Sequence, residues 1–204
     1  MKKKALALVL ALGLVTVGIV SGTVAWLTAS VDPVVNVFTD SDINITLTET
    51  TSSYKMIPGH TIAKDPMVTL DKDSEACYLF IKVKEDLGAW SADGKNFTDY
   101  LIYSVDTTIW TALPGYDGIY YKEVDTSALD QATEHLTYKI IKDNTITVSG
   151  ENVTKSMMDA IDGENESKPT LTFQAAAVQL YETQNRKFDV AAAYTKVAWP
   201  TSNP

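Results

Sequence analysis

After residue 40 the chain alternates hydrophobic and polar positions with a period of two along most of its length. In residues 76–84, for example, positions 77, 79, 81 and 83 are apolar, while Lys82 and Lys84 fall on the opposite face of an extended chain. A period of two is typical of a half-buried β-strand. Strands are predicted at residues 43–48, 61–70, 76–84, 100–105, 107–110, 118–124, 136–141, 145–148 and 170–181.

Turn-forming residues separate these strands, as at Pro58-Gly59 and Asp143-Asn144. Pro66 indicates an edge position or a bulge within its own strand, because proline cannot donate a hydrogen bond to a ladder. Many short strands at turn-separated intervals favour a sandwich.

Two segments carry helix signals instead. Residues 153–161 place their apolar side chains on one stripe, and Gly163 follows at the position of a C-terminal cap. Residues 188–198 are rich in alanine and end before Pro200. The sequence therefore predicts an all-β fold, an antiparallel β-sandwich with one or two short helices, formed as a single domain by residues 40–204.

The first 25 residues have the features of a targeting segment. Three lysines follow Met1, an apolar run covers residues 5–20, and small residues precede Trp26. This order is that of a secretory signal peptide, and Thr23 and Ala25 provide the small side chains of a cleavage site between Ala25 and Trp26. An uncleaved membrane anchor is the alternative, because the run approaches the roughly 20 apolar residues of a spanning helix if residues 21–23 are included.

Residues 26–38, called the arm below, would begin the mature chain. Large apolar side chains stabilise a fold by ~1.5–3 kcal/mol each when fully buried, so the arm is expected to occupy a groove. An extended peptide on an open sheet edge would also satisfy its backbone hydrogen bonds, and Pro33 suits an edge strand. The alternative is that the arm is the first strand of its own sandwich, and the two agree if it exchanges between copies. The apolar residues of the arm are Trp26, Leu27, Val31, Val34, Val35, Val37 and Phe38.

The net charge limits the classes of partner that the protein is expected to bind. The net charge is −9, and residues 1–25 carry three lysines and no acidic residue, so their removal lowers it to −12. An acidic protein of this kind is not expected to bind nucleic acid, which requires a basic face. Such a charge keeps separate copies soluble through mutual repulsion.

Residues for catalysis are few, and no catalytic, cofactor-binding or metal-binding residue is predicted. His60 and His135 are the two histidines, and they lack the spacing of a helical zinc motif. Cys77 is the single cysteine and alternates with apolar residues, so it is predicted to be a small buried hydrophobe. The acidic segments 71–75 and 40–42 lack the glycine and terminal glutamate of a calcium-binding loop.

Aromatic residues concentrate in the middle of the chain. A sugar-binding surface is one interpretation of this group, and packing in a core or an interface is the other. Packing is favoured because aromatic side chains dominate the energetics of cores. The residues concerned are Trp90, Trp110, Tyr116, Tyr120 and Tyr121.

Three sets of segments, in the same order along the chain, resemble the TasA/camelysin family of exported bacterial proteins. The first set starts at the predicted cleavage site, the second contains the Pro-Gly turn and the Lys64-Asp65 pair, and the third resembles the closing strand and alanine-rich end of the family. The segments are 21–30, 36–39 and 43–49, then 57–66 and 78–83, then 173–179 and 191–193 with Trp199.

This resemblance implies a jelly-roll type of sandwich and a structural role. The chain would be a structural subunit of biofilm-matrix or cell-surface fibres, secreted by a Gram-positive bacterium through a SipW-type signal peptidase. A fibre would grow as the N-terminal strand of one subunit completes the sheet of the next. The implied partners are further copies of the chain, that peptidase and other matrix proteins.

Two alternatives remain open from the sequence. Camelysin-type relatives have been classed as metallopeptidases, so a secreted metallo-endopeptidase is one. A membrane-anchored surface module for adhesion or ligand binding is the other, and it requires that the N-terminal apolar helix is kept. The state of the N-terminus discriminates between the anchored and the released protein.

Overall fold

A computed structural model describes residues 42–51, 53–162, 167–183 and 186–199. All of them belong to the second of two units into which the chain divides, Ser41–Pro204. Regular structure in these residues is mostly antiparallel β-strand, with four short α-helices, so the predicted all-β fold is confirmed. The jelly-roll strand order stays a prediction. The predicted signal peptide lies outside the described residues.

The described chain contains twelve strands. In chain order they are β1 (Ile45–Thr48), β2 (Thr61–Ala63), β3 (Met67–Leu70), β4 (Cys77–Asp86), β5 (Leu101–Ile102), β6 (Thr111–Ala112), β7 (Ile119–Val124), β8 (Leu136–Lys139), β9 (Thr145–Val148), β10 (Thr170–Gln179), β11 (Tyr181–Thr183) and β12 (Arg186–Lys187). The helices are α1 (Phe97–Tyr100), α2 (Thr126–Asp130), α3 (Lys155–Asp159) and α4 (Val190–Tyr194), and Gly88–Asp93 and Lys142–Asn144 form 3₁₀ turns.

The strands form three sheets and a hairpin. Sheet 1 has the order β1-β3-β8, sheet 2 the order β10-β4-β7-β6 and sheet 3 the order β2-β9-β5, while β11 pairs with β12. Every pairing between these strands is antiparallel. In the longest ladder, between β4 and β10, Cys77 lies opposite Gln179 and Asp86 lies opposite Thr170.

Sheets 1 and 2 share the larger hydrophobic core. Val68 and Leu70 of β3 and Leu79 and Ile81 of β4 are all buried in one cluster. Leu79 and Ile81 lie on the same face of β4, because alternate residues of a strand share a face. This arrangement places the predicted apolar face of residues 76–84 in the core.

The opposite face of β4 is buried as well, which the period-two pattern does not predict. Phe80 packs against Tyr194 of α4 with ring centroids 5.6 Å apart, and the hydroxyl of Tyr78 donates to the carbonyl oxygen of Phe188 at 3.1 Å. The C-terminal segment therefore covers this side of sheet 2. Of the two lysines predicted to face solvent here, Lys84 is exposed and Lys82 is half-buried.

A second, smaller core lies under sheet 3. Ile146 and Val148 of β9 pack there with Trp90 and Tyr100. The indole Nε1 of Trp90 donates to the carbonyl oxygen of Met157 at 2.9 Å, so this core also fixes α3.

Four predicted strands differ in the structure. Of the segment 100–105 only β5 is strand, and Tyr100 ends α1, while the segment 170–181 divides into β10 and the start of β11. The segment 61–70 divides into β2 and β3, which belong to different sheets, and Pro66 lies in the crossover between them. The prediction of a strand at 107–110 is wrong. The carboxylate of Asp106 accepts hydrogen bonds from the amide and hydroxyl of Thr108 at 3.0 and 2.6 Å, and this local turn displaces an extended conformation.

Helices α3 and α4 lie within the two segments predicted to be helical, and both are shorter than predicted. Helices α1 and α2 were not predicted. Asn96 and Asp99 form a capping box at the start of α1, and the side chain of Asp125 accepts from the amide of Ala128 at the start of α2. These caps are readable signals for short helices. Gly163 lies outside the described residues.

Candidate functional site

The residues predicted for processing and assembly precede the described part of the chain. The cleavage site Ala25–Trp26 therefore lies outside the described residues, as do the apolar arm residues Trp26, Leu27, Val31, Val34, Val35, Val37 and Phe38. The feature that bears on assembly is the surface that can accept an extended segment.

The candidate acceptor is the outer edge of β10. Strand β10 is ten residues long and pairs with β4 on one side, whereas its second side pairs with no strand among the described residues. An edge strand presents unpaired backbone N–H and C=O groups, which form a template for another strand. The length of this edge suits the addition of a long extended segment.

Strand β1, at the end of sheet 1, approaches β10, at the end of sheet 2, and apolar side chains of both strands are partly exposed there. Leu47 of β1 lies opposite the buried Val68, hence on the core side of sheet 1, and is nevertheless 38% exposed. Ala175 and Ala177 of β10 lie opposite core residues of β4 and are only half-buried. This part of the sandwich, formed by β1 and β10, is called the open side below.

A groove of about 370 Å³ lies at the start of β10. Its lining is mainly apolar, with polar groups from residues 53–54, 64, 168, 170 and 172. The apolar and aromatic lining side chains are Tyr54, Met56, Ile62, Phe97, Leu101, Ile146, Pro169 and Leu171.

Lys64 lines the groove, and its charge is already neutralised. Its Nζ lies 2.6 Å from Oε1 of Glu49, and its side chain is 8% exposed. The hydroxyl of Tyr54 donates to the same carboxylate oxygen at 2.7 Å. Burial and the hydrogen bond to Glu49 raise the pKa of Tyr54, so this hydroxyl keeps its proton. The ammonium also lies 4.7 Å from the ring centre of Tyr54 and 5.7 Å from that of Phe173 on β10.

Asp65, the second residue of the Lys64-Asp65 pair, binds a different partner, Thr50. The Asp65 carboxylate accepts hydrogen bonds from the hydroxyl and the amide of Thr50, which lower its pKa. The pair therefore joins the chain after β1 to the crossover before β3. The sequence motif marked these two residues, but their partners lie some fifteen positions away and carry no local signal.

The histidines are not brought together. His60 is exposed beside the Pro58-Gly59 turn, with Nδ1 3.3 Å from the carbonyl oxygen of Pro58. His135 is also exposed, and its Nδ1 lies 3.3 Å from a carboxylate oxygen of Asp71. Across the described ranges, no three His, Cys, Asp or Glu side chains are grouped so that they could hold a metal ion.

The acidic turn 71–75 and Cys77 have structural environments. The amide of Asp73 donates to the Asp71 carboxylate at 3.1 Å, which closes the turn. The thiol of Cys77 is fully buried, and this burial raises its pKa to about 12. A thiol that stays protonated is a poor nucleophile, so the predicted role of Cys77 as a small buried hydrophobe is confirmed.

The five aromatic residues do not form one surface. Trp90 and Trp110 are buried in different cores, and the indole Nε1 of Trp110 donates to the carbonyl oxygen of Lys139 at 2.8 Å. Tyr116 is 39% exposed and packs edge-on against Tyr194. The packing interpretation is therefore confirmed for both tryptophans.

Comparisons with protein-family models, with curated proteins and with solved structures find no match for this chain. In the part of the chain that the structure describes, no helix has the length and hydropathy needed to cross a membrane. The likeness to the TasA/camelysin family consequently rests on the sequence segments themselves.

Proposed function

We propose that this chain is a secreted structural subunit of extracellular fibres, at the matrix or the cell surface of a Gram-positive bacterium. The arm of one copy adds as a strand to the outer edge of β10 in the next copy. The observation that carries this proposal is the open side, where the outer edge of β10, which pairs with no strand among the described residues, lies beside partly exposed core residues.

Strand addition would combine two stabilising effects at the open side. The backbone of the arm would form ladder hydrogen bonds with β10, and alternate side chains would enter the sandwich. Ala175 and Ala177 are small and half-buried, so they leave space for the larger valine side chains of the arm. Filling such space stabilises a core because contacts are gained with no new cavity.

The acidic charge is consistent with assembly through one local contact. Copies with a net charge of −12 after cleavage repel one another, so their association needs a strong short-range attraction. Salt screens repulsion between exposed charges beyond roughly 8–10 Å. Filament formation should therefore accelerate when the salt concentration is raised.

A pair of arm variants tests strand addition directly. Val35→Asp and Asn36→Asp add the same charge at adjacent positions, which face opposite sides of an extended strand. In the mature protein, we expect Val35→Asp to abolish filaments in negative-stain electron microscopy, because its charge enters the apolar side. Asn36→Asp should retain them, since that position is already polar. Normal filaments from Val35→Asp would contradict the proposal.

The proposal assigns no catalytic step to the protein. Replacing His60 and His135 together by alanine should leave secretion and filament formation unchanged. Stoichiometric zinc in the purified protein, lost in this double variant together with a chelator-sensitive protease activity, would instead support the metallo-endopeptidase alternative.

A further inference from the structure

The two ends of β10 differ in their distance from the start of the described chain. The amide of Glu75 donates to the carbonyl oxygen of Asp42 at 3.0 Å, and Glu75 precedes the Cys77 that lies opposite Gln179. Asp42 is therefore near the Gln179 end of β10. The groove is at the Thr170 end, about 30 Å further along a ten-residue strand.

This geometry limits which arm can reach the groove with its last residues. Three residues separate Phe38 from Asp42. At about 3.6 Å per residue, the Phe38 of a chain stays within about 14 Å of its own Asp42. The groove of the same copy is beyond that reach, so only another copy can bring Phe38 to it.

The positions of Asp42 and of the groove, at opposite ends of β10, also determine the direction in which the arm would run. An arm that runs antiparallel to β10 places residue 38 at the Thr170 end and residue 26 at the Gln179 end. All described pairings in this protein are antiparallel, and antiparallel ladders are slightly more stable per residue than parallel ones. A chain's own arm along its own β10 would have to run parallel.

We propose that the groove binds the Phe38 end of the arm of a second copy, and that this arm runs antiparallel to β10. The inference rests on the proposed function and adds the direction of insertion, the occupant of the groove and the reason that an arm leaves its own subunit. The charge of Lys64 is neutralised by Glu49, so the groove suits an apolar side chain.

Chain length agrees with this arrangement. Thirteen extended residues span about 40 Å, whereas the ten of β10 span about 30 Å. The arm therefore extends past the strand by about three residues, and the groove lies where the Phe38 end of an antiparallel arm would project.

Cross-linking between engineered cysteines can report the direction of the arm along β10. The single native thiol, Cys77, is fully buried and does not compete for the reagent. Thr172 and Gln179 are exposed near opposite ends of β10. Four double variants of the mature protein combine Thr28→Cys or Asn36→Cys, at polar positions of the arm, with Thr172→Cys or Gln179→Cys. Each is assembled, treated with a short bismaleimide and separated on a denaturing gel.

The antiparallel arrangement predicts a covalent ladder of oligomers for Asn36→Cys with Thr172→Cys and for Thr28→Cys with Gln179→Cys. The ladder should be lost in the other two combinations. Ladders in those two alone would overturn the inference and leave the fibre function standing. Filaments without any of the four ladders would overturn β10 as acceptor. If the mature protein forms no filaments, the inference falls together with the proposed function.

Discussion

Two charged side chains of the described residues are buried, Lys64 and Asp106. Each has a partner of opposite charge, with Glu49 beside Lys64 and the Nζ of Lys139 3.1 Å from the Asp106 carboxylate. Removing one partner of a buried pair leaves an uncompensated charge, which destabilises more than the pair itself stabilises. These residues therefore hold local geometry, Lys64 beside the groove and Asp106 in the turn before β6.

Replacing Glu49 by glutamine should lower the free energy of unfolding by about 1–3 kcal/mol, because the Lys64 ammonium stays buried without a counter-charge. The control is Asp159→Asn, which breaks the exposed Lys155–Asp159 pair. This substitution should change the free energy of unfolding by less than about 0.5 kcal/mol. Urea unfolding measures both. Equal effects of the two substitutions would show that the Glu49–Lys64 pair behaves as a surface pair.

The ionisation of Asp106 is expected to make the free energy of unfolding depend on pH. Hydrogen bonds from Thr108, followed by the interaction with Lys139, hold the pKa of Asp106 below its usual value of 3.8. The unfolded chain therefore binds this proton at a higher pH than the folded protein. The stabilisation is present above the usual pKa and is lost as the pH falls through the folded one.

Asp106→Asn removes this ionisation while keeping the size of the side chain. The difference in urea midpoint between the wild type and Asp106→Asn should be larger at pH 7 than at pH 3. A difference that stays constant across this range would contradict the assignment.

At the scale of elements, the start of β7 packs unusually close to β4. A Cβ atom on Gly118 would lie 2.6 Å from the carbonyl oxygen of Val83. Gly115 in the preceding turn has a similar positive φ, 82° against 69°, but a Cβ atom there would meet nothing within 4 Å. An alanine at Gly115 would therefore introduce backbone strain alone, whereas an alanine at Gly118 would introduce strain and a steric collision.

Gly115→Ala should cost about 1–2 kcal/mol of unfolding free energy, because the left-handed conformation is strained for alanine. Gly118→Ala should cost clearly more, since the new methyl group also collides with the backbone of β4. Thermal unfolding of both variants measures the difference. Equal costs would mean that the contact between β7 and β4 relaxes freely.

Elements with one exposed side were predictable from the sequence, whereas elements fixed by distant partners were not. Strand β9 follows its alternating pattern closely, with Ile146 and Val148 buried and Thr145 and Thr147 half-buried. The burial of Tyr78 and Phe80 depends on contacts with Phe188 and with Tyr194 of α4, more than a hundred residues later, so no local pattern reveals it. Residues 61–70 look like one strand because nothing in their alternation marks the crossing from sheet 3 to sheet 1.

The acceptor part of the site was predictable only in outline. The arm and the alanine-rich segment 173–179 were recognisable from composition and resemblance. That β10 is an edge strand, and that Leu47 of β1 is exposed beside it, depends on the order of strands in two sheets. Strand order is a property of long-range pairing, which a single sequence does not display.

For the whole molecule, the proposed function requires cleavage after Ala25, which would release the arm. Mass spectrometry of protein recovered from the culture medium should show Trp26 as the first residue, because Thr23 and Ala25 meet the small-residue requirement of the peptidase. An intact Met1 terminus, on protein found with the membrane, would support the anchored surface module instead.

In the proposed assembly, residues 26–38 join the subunits through the open side. The most direct measurement is negative-stain electron microscopy of the purified mature protein beside a variant that lacks residues 26–38, with circular dichroism to establish that both are folded. We predict filaments from the mature protein and folded, separate subunits from the deletion variant. Filaments of normal length from the deletion variant, or a mature protein that stays monomeric at every salt concentration, would contradict the claim.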